Sequence, residues 1–299
     1  MVSSLPPDFA SLLAPFCFPQ TGPGPGPFQA VNLEGVRMMA GHLGTTTTKA
    51  MLLCLEHEVW PLRFARNRGV FTAQEQCGLL EARAAIIGCG GLGGHVTMLL
   101  ARAGVGAFTL CDFDVFDESN LNRQLLCRET TLGRNKAEVV REELGLVASH
   151  VDVRVASVVA GPGSLPEILH GASIIMDCLD SLEARHYVAA AADAAAIPFI
   201  HGAVAGHEGF AMLIHPGEKS LELLYPGRGL SESNAGGHSG NAEGRSGAES
   251  RLGVPTVTPA AIAALQVGLA LQVLSGKKPD SARLCHLDLA GPMLEVLVL

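Results

Sequence analysis

Residues 84–112 read AAIIGCGGLGGHVTMLLARAGVGAFTLCD, and no other stretch of the chain restricts the fold as tightly. An apolar run, Ala84 to Ile87, meets the glycine cluster Gly88, Gly90, Gly91 and Gly93, and an apolar-periodic segment follows from Val96 to Ala103. The pattern predicts a strand, a tight turn and a helix. Side chains at those glycines would keep the backbone away from a phosphate at the helix N-terminus, where unpaired N–H groups and the helix dipole favour an anion. A second apolar run, Phe108 to Cys111, ends at Asp112, about the distance at which an acidic side chain takes a ribose hydroxyl. Both halves of a mononucleotide site are expected. The plainer alternatives are a turn that only packs helix on strand, and a strand-end carboxylate without a ligand.

Strands are expected at 84–88, 107–112, 151–155, 173–177 and 197–202, with helices at 92–104, 133–145, 164–170 and 181–196 between them. Such alternation demands parallel strands with helical crossovers, an α/β fold. FAMLIH (Phe210 to His215) comes too soon after residue 202 for a crossover and predicts an antiparallel strand. The uncharged stretch Pro255 to Gly276 is apolar enough to pass for a membrane span, but Thr258, Gln266 and Gln272 lie within it, and a core or dimer-interface helix is expected. Ser231 to Ser250 is small and polar and reads as an exposed loop, with 231–252 treated as flexible. Residues 1–34, with GPGPGP at 22–27, are expected to form a disordered tail. Residues 35–62 are expected as a helical segment, with Gly44 as a stop and Thr45 to Thr48 supplying an N-cap. The remainder, 63–299, is expected to be one domain.

The net charge of −8 comes without a basic block, so neither nucleic acid nor an anionic membrane is an expected partner. A secretory pattern is lacking, because the first basic residue is Arg37 and Pro6, Pro7, Pro15 and Pro19 interrupt any apolar run. Eight cysteines without a C-x-x-C pair read as reduced thiols of a cytoplasmic protein.

Beyond Asp112 come Asp114, then Asn120, Arg123 and Gln124 in NLNRQ, Lys136 in GRNKAE, and, in MDCLDS, Asp180, which is expected to end an apolar strand at the carboxyl edge of the sheet, where open α/β folds keep their ligands. Two cations and a carboxylate near one phosphate turn suit a triphosphate with Mg²⁺ better than a nicotinamide cofactor. Lys136 also opens a predicted helix, where a cation opposes the dipole, and an unfavourable placement hints at a purpose. At these residues the chain resembles the ThiF/MoeB/HesA family, relatives of the ubiquitin-activating enzymes. The likeness runs from RFAR (Arg63 to Arg66) through the glycine turn, NLNRQ, GRNK, Asp180 and HGAVAGHEG (His201 to Gly209), and weakens after about Pro226.

The resemblance implies a Rossmann-like nucleotide-binding fold, in keeping with the mostly parallel central sheet and antiparallel C-terminal strands expected from the pattern; residues before about Glu58 carry no motif of the family, and the helical segment there is expected as an N-terminal cap on the nucleotide domain. The resemblance also implies adenylation, by ATP and Mg²⁺, of the C-terminal glycine of a small ubiquitin-like sulfur carrier ending in Gly-Gly, with release of pyrophosphate. Gly88, Gly90, Gly91 and Gly93 would then hold phosphates and Asp112 the ribose. Asn120, Arg123, Gln124 and Lys136 would contact the nucleotide, and Asp180 would hold Mg²⁺. Arg66 falls where relatives reach into the neighbouring subunit, which implies a homodimer; solvated surface arginines are the alternative. The zinc-binding C-x-x-C pairs of many relatives are missing, so no zinc site is expected. No cysteine lies between Cys178 and Cys285, so no thioester or persulfide step is expected from that loop. Cys178 itself is expected as a buried strand thiol, and Ser181 stands where relatives often carry asparagine. Competing readings are adenylation of a peptide or tRNA-borne carboxylate, an NAD-dependent oxidoreductase, and a non-catalytic nucleotide sensor.

Overall fold

The computed structural model describes residue 11 and residues 13–225, 251–279 and 283–298; the loop expected over 231–250 lies outside them. Proline and glycine do not leave the N-terminal stretch unstructured. Strand β1 (Cys17–Gln20) pairs antiparallel with β2 (Phe28–Val31). Helices α1 (Leu33–His42) and α2 (Thr47–Glu56) follow, capped by the side chains of Asn32 and Thr46, which accept from the N–H groups of Gly35 and Lys49. Strand β3 (Val59–Pro61) then returns parallel to β2. The disordered tail expected over 1–34 is therefore corrected for residues 17–31, and the cap is α/β rather than helical.

The reason lies some 40 residues further on. The guanidinium of Arg68 donates to the carbonyls of Pro23 (2.8 Å), Pro25 (2.6 Å) and Gly26 (3.1 Å), and lies 4.6 Å from the centre of the Phe28 ring. Gly24 and Gly26 adopt left-handed backbone, which turns those carbonyls toward one cation. Phe28, Val31, Met39, Met51, Leu55 and Trp60 then bury one another together with Phe64.

Helix α3 (Ala73–Glu81) carries a capping box between Thr72 and Glu75 and leads into the main sheet. Its elements are β4 (Arg83–Ile87), α4 (Gly91–Ala103), β5 (Ala107–Cys111), α5 (Lys136–Val147), β6 (Asp152–Ala156), α6 (Leu165–Ile168), β7 (Ile174–Asp177), α7 (Leu182–Ala194), β8 (Phe199–Ala205), β9 (Glu208–Ile214), α8 (Ser220–Leu224), α9 (Val257–Leu274), β10 (Arg283–Asp288) and β11 (Met293–Val298). The eight strands lie in the order β11-β10-β9-β8-β7-β4-β5-β6. Strands β4 to β8 are mutually parallel, and β8 through β11 are antiparallel neighbours, as expected from the sequence.

Period-two alternation splits β4 between two cores. Ala84 and Ile86 face Val96, Leu100, Val140 and Ile262, whereas Ala85 and Ile87 face Leu165, Val188 and Ala192. Helix α9 is long and apolar enough to cross a membrane. In the fold its Ile262, Ala263, Val267 and Ala270 are buried against the sheet, and Gln266 Nε2 donates to the carbonyl of Asp177 at 2.8 Å. The close approach depends on HGAVAGHEG: a Cβ on Gly209 would lie 2.6 Å from Ile262 Cγ1. Gly206, with φ +58°, makes the two-residue turn between β8 and β9.

Chain order places β5 and β6 on one side of β4, and β7 and β8 on the other. The loops after β4 and β7 thus flank the switch point of the sheet, where open α/β folds keep their ligand crevice.

Candidate active site

The turn after β4 is built from backbone. Gly88 has φ +92°, its N–H donates to the carbonyl of Cys111 at 2.8 Å, and a Cβ there would lie 2.6 Å from the carbonyl oxygen of Cys178. Gly93 sits against the Gly88 carbonyl, where an added Cβ would come within 2.8 Å of the carbonyl carbon. Helix α4 begins at Gly91 with Gly90 as N-cap and no side-chain capping bond, so its first-turn N–H groups have neither intrahelical partners nor a capping side chain. An anion is what such an end accepts.

Asp112 stands just beyond β5 and is tied to this turn. One carboxylate oxygen accepts the Cys89 N–H at 2.7 Å, and the other accepts the N–H of Asp114 at 2.9 Å. A carboxylate has about four lone-pair positions, so capacity remains for hydroxyl donors. Burial raises the Asp112 pKa, while these backbone bonds and Lys136 pull it back.

Lys136 is the first residue of α5 and is buried, with 8% of its surface exposed. Its Nζ lies 3.2 Å from a carboxylate oxygen of Asp114, an ion pair that offsets the unfavourable helix-end position. Asn135 caps α5 and donates through Nδ2 to the carbonyls of Asp112 (3.0 Å) and Asp114 (3.1 Å), locking this loop to the helix. That role of Asn135 was not foreseen; its place directly before a helical period was the available signal.

The NLNRQ segment continues a short helical turn, Glu118–Asn120, and brings Gln124 beside the glycine turn. Asn120 is buried and its Oδ1 accepts the Asp117 N–H at 3.2 Å, so part of its function is to shape the segment. Arg123 is half-buried and donates to the Ser119 carbonyl and to Asn122 Oδ1, both at 2.9 Å. Gln124 is buried with its Oε1 unpartnered, and its amide comes within 3.4 Å of the position a Cβ would take on Gly90. A buried polar group without a partner beside an open helix end marks where a ligand would complete the bonding.

Asp180 does not end β7, contrary to expectation. The strand stops at Asp177, and Asp180 is exposed in the loop just before Ser181, the N-cap of α7. Cys178, expected as a strand thiol, is the first residue past the strand; its N–H donates to the Ile87 carbonyl, and burial raises its pKa well above the ordinary thiol value. The loop thereby lies against the glycine turn. No three His, Cys, Asp or Glu side chains gather into a metal cage among the described residues. One exposed carboxylate fits Mg²⁺ instead, since that ion commonly takes one or two carboxylates and completes its shell with phosphate oxygens and water.

Arg66 is not brought into this cluster. It is exposed in the turn that follows Phe64, and the neighbouring Asn67 side chain donates to the carbonyl of Ala103, at the far end of α4. A 13-residue helix is about 20 Å long, beyond the reach of an arginine from one end to a ligand at the other. Arg63 instead binds the C-terminal carbonyl of α5 at Val147 (3.0 Å) and His150 Nδ1 (3.2 Å).

A glycine turn at the switch point of a doubly wound sheet, with an acidic side chain bonded to it from the next strand, defines a Rossmann-like protein. The chain belongs to the ThiF family, whose model matches residues 64–296. It is 36% identical over 151 residues to the molybdopterin-synthase adenylyltransferase of Salmonella typhimurium, a stretch covering 50% of this chain and 60% of that one. It is 38% identical over 141 residues to the sulfur carrier protein ThiS adenylyltransferase of Bacillus subtilis, covering 46% and 42%. Among solved structures it is similar to E. coli MccB crystallised with AMPCPP and MccA, at a TM-score of 0.62 and 20% identity, covering 79% of this chain and 71% of that one. The matched stretch therefore spans less than two thirds of each of these two curated relatives.

Proposed function

We propose that the chain is an ATP-dependent adenylyltransferase that activates the C-terminal glycine carboxylate of a small ubiquitin-like sulfur carrier, releasing pyrophosphate and leaving an acyl-adenylate. The observation that carries this reading is the meeting of an uncapped α4 N-terminus, the Asp112–Cys89 bond, the Lys136–Asp114 pair and the exposed Asp180 loop in one crevice. A carboxylate and a triphosphate repel, so positive charge must be supplied where they meet. Gly88, Gly90, Gly91 and Gly93 let the backbone hold phosphates. Asp112 takes ribose hydroxyls, Asn120 and Gln124 orient the nucleotide, and Arg123 and Lys136 neutralise phosphate charge. Lys136 changes partner for this, exchanging the exposed Asp114 for phosphate. Mg²⁺, held through Asp180, would screen the phosphate oxygens, which carry the negative charge of the pentavalent transition state.

Arg66 serves the site of a second subunit in a homodimer, since its own crevice is out of reach. The names of the matched relatives, adenylyltransferases for molybdopterin synthase and for ThiS, support the carrier class. With no cysteine between Cys178 and Cys285 the chemistry ends at the adenylate, and another protein delivers sulfur. The free thiols suit the cytoplasm. Pyrophosphate–ATP exchange tests the proposal: a carrier ending in Gly-Gly should start exchange in the presence of Mg²⁺. No exchange with any such carrier, together with tight NAD binding, would sink it.

A further inference from the structure

Behind the Asp180 loop lies a closed circuit of side chains that the nucleotide site does not use. Asp177, at the end of β7, and His201, on β8, are both fully buried. Parallel register pairs Met176 with Ile200, so the two stand at the next level on adjacent strands. His201 Nδ1 lies 2.6 Å from Asp177 Oδ2, and His201 Nε2 lies 3.2 Å from the Tyr225 hydroxyl. Arg185 donates from one terminal nitrogen to that same hydroxyl at 3.2 Å. Its Nε and other terminal nitrogen donate to the carbonyl of Leu179, the former at 3.1 Å, and the Nε lies 3.8 Å from Asp177 Oδ2. The Leu179 N–H closes the circuit by donating to Asp177 Oδ1 at 3.0 Å.

One assignment of protons satisfies the His201 contacts. Burial lowers the His201 pKa, with Asp177 pulling the other way. A neutral ring donates through Nδ1 to the carboxylate and accepts the Tyr225 hydroxyl proton at Nε2.

A buried carboxylate and guanidinium are a poor way to gain stability, because desolvation consumes most of their attraction. What this pair achieves is geometric. Both the N–H and the C=O of Leu179 are held, which fixes the two peptide planes on either side of it. The residue after Asp180 is also anchored, since Ser181 Oγ accepts the Ala184 N–H as the cap of α7. Asp180 is thus the exposed member between two fixed neighbours, next to a turn whose Gly88 touches Cys178.

We propose that the Asp177–His201–Tyr225–Arg185 circuit is a positioning device that fixes the peptide carrying Asp180, the carboxylate that would hold a divalent metal on the nucleotide, with His201 and Arg185 as its positioning residues. This rests on the reading of Asp180 as the metal carboxylate. Asp177 and His201 are fully buried, so the circuit acts by preventing the Leu179–Asp180 peptide from turning.

The test is direct binding of Mn²⁺, followed by paramagnetic resonance of the free ion, to the full-length protein saturated with α,β-methylene-ATP. His201→Phe keeps an aromatic ring against Phe199 and Phe210 but removes both hydrogen bonds. Arg185→Lys keeps the charge and loses the two-pronged grip on Leu179. Each should weaken Mn²⁺ binding five-fold or more while leaving metal-free nucleotide affinity unchanged, and His201→Asn, whose amide nitrogen can stand near the Nδ1 position, should recover part of the loss. Wild-type Mn²⁺ affinity in cooperatively folded His201→Phe and Arg185→Lys, beside weakened binding in Asp180→Ala, would overturn the positioning role. Wild-type affinity in Asp180→Ala would instead overturn the metal assignment, and the positioning role with it.

Discussion

Gly88→Ala and Gly94→Ala, six residues apart, should have opposite effects on stability. At Gly88 an alanine must adopt φ +92°, which costs about 1–2 kcal/mol for a residue with a side chain. Its Cβ would also lie 2.6 Å from the Cys178 carbonyl oxygen, with the Cys178 carbonyl carbon at 2.9 Å. Both are backbone atoms, so relief requires parting the phosphate turn from the Asp180 loop, an overpacking cost of about 1–3 kcal/mol. The expected loss is about 2–5 kcal/mol in urea unfolding. Calorimetry should show weaker Mg²⁺–nucleotide binding, because two halves of the site separate. Gly94 lies in the interior of α4, where the atom nearest to an added Cβ is Leu126 Cγ at 3.7 Å, ordinary contact. Gly94→Ala should therefore stabilise by about 0.5–1 kcal/mol through helix propensity alone. A Gly88→Ala protein within about 0.5 kcal/mol of wild type, with unchanged nucleotide affinity, would refute the account of the turn.

Three further outcomes follow from the same geometry. Burial, with Arg63 beside it, lowers the His150 pKa from 6.5 to about 4, so between those values the unfolded chain binds a proton that the native one refuses. Stability should fall as pH drops through 6.5, with about 2 kcal/mol lost to His150 by pH 5; His150→Asn should show correspondingly less acid sensitivity, and an identical pH profile would exclude the residue as the cause. Arg68→Met should cost about 1–2 kcal/mol and raise amide exchange across residues 22–27, whereas unchanged exchange would mean that Arg68 does not hold that loop. Arg66→Ala and Lys136→Ala should each be inactive as pure dimers, yet an equal mixture, after subunit exchange, should regain roughly a quarter of wild-type exchange activity through hybrid dimers. No recovery would place Arg66 outside a shared site.

Elements whose pattern was local were legible in the sequence. The strand, turn and helix around Gly88 lie within a few residues of their expected bounds, because apolar periodicity and glycine need no distant partner to be read. The antiparallel return at Phe210 was legible for the same reason. Residues 17–31 were not, because their order depends on Arg68, more than 40 positions away, whose bonds to three carbonyls offset the entropy that GPGPGP suggests. The end of the strand at residue 177 was legible, but not that Asp180 stands three residues beyond it in a loop, because Asp177 inside the apolar run is the carboxylate that pairs with His201 on the adjacent strand. A carboxylate in such a run does demand a buried partner, and that was the missed signal. For Arg66 the resemblance implied a reach into a neighbouring subunit, and the distance from its own crevice comes from the fold alone, through the packing of Asn67 on the end of α4.

In the proposed reaction the crevice makes a carrier acyl-adenylate and stops there. Intact-mass spectrometry of the protein incubated with ATP, Mg²⁺, pyrophosphatase and a Gly-Gly-ended carrier tests this most directly. The expected result is a carrier heavier by one AMP, labile to hydroxylamine, absent with Asp180→Ala or Arg123→Ala, and an enzyme of unchanged mass. An enzyme carrying the carrier through a thioester, or a carrier that gains no mass with any Gly-Gly protein offered, would contradict it.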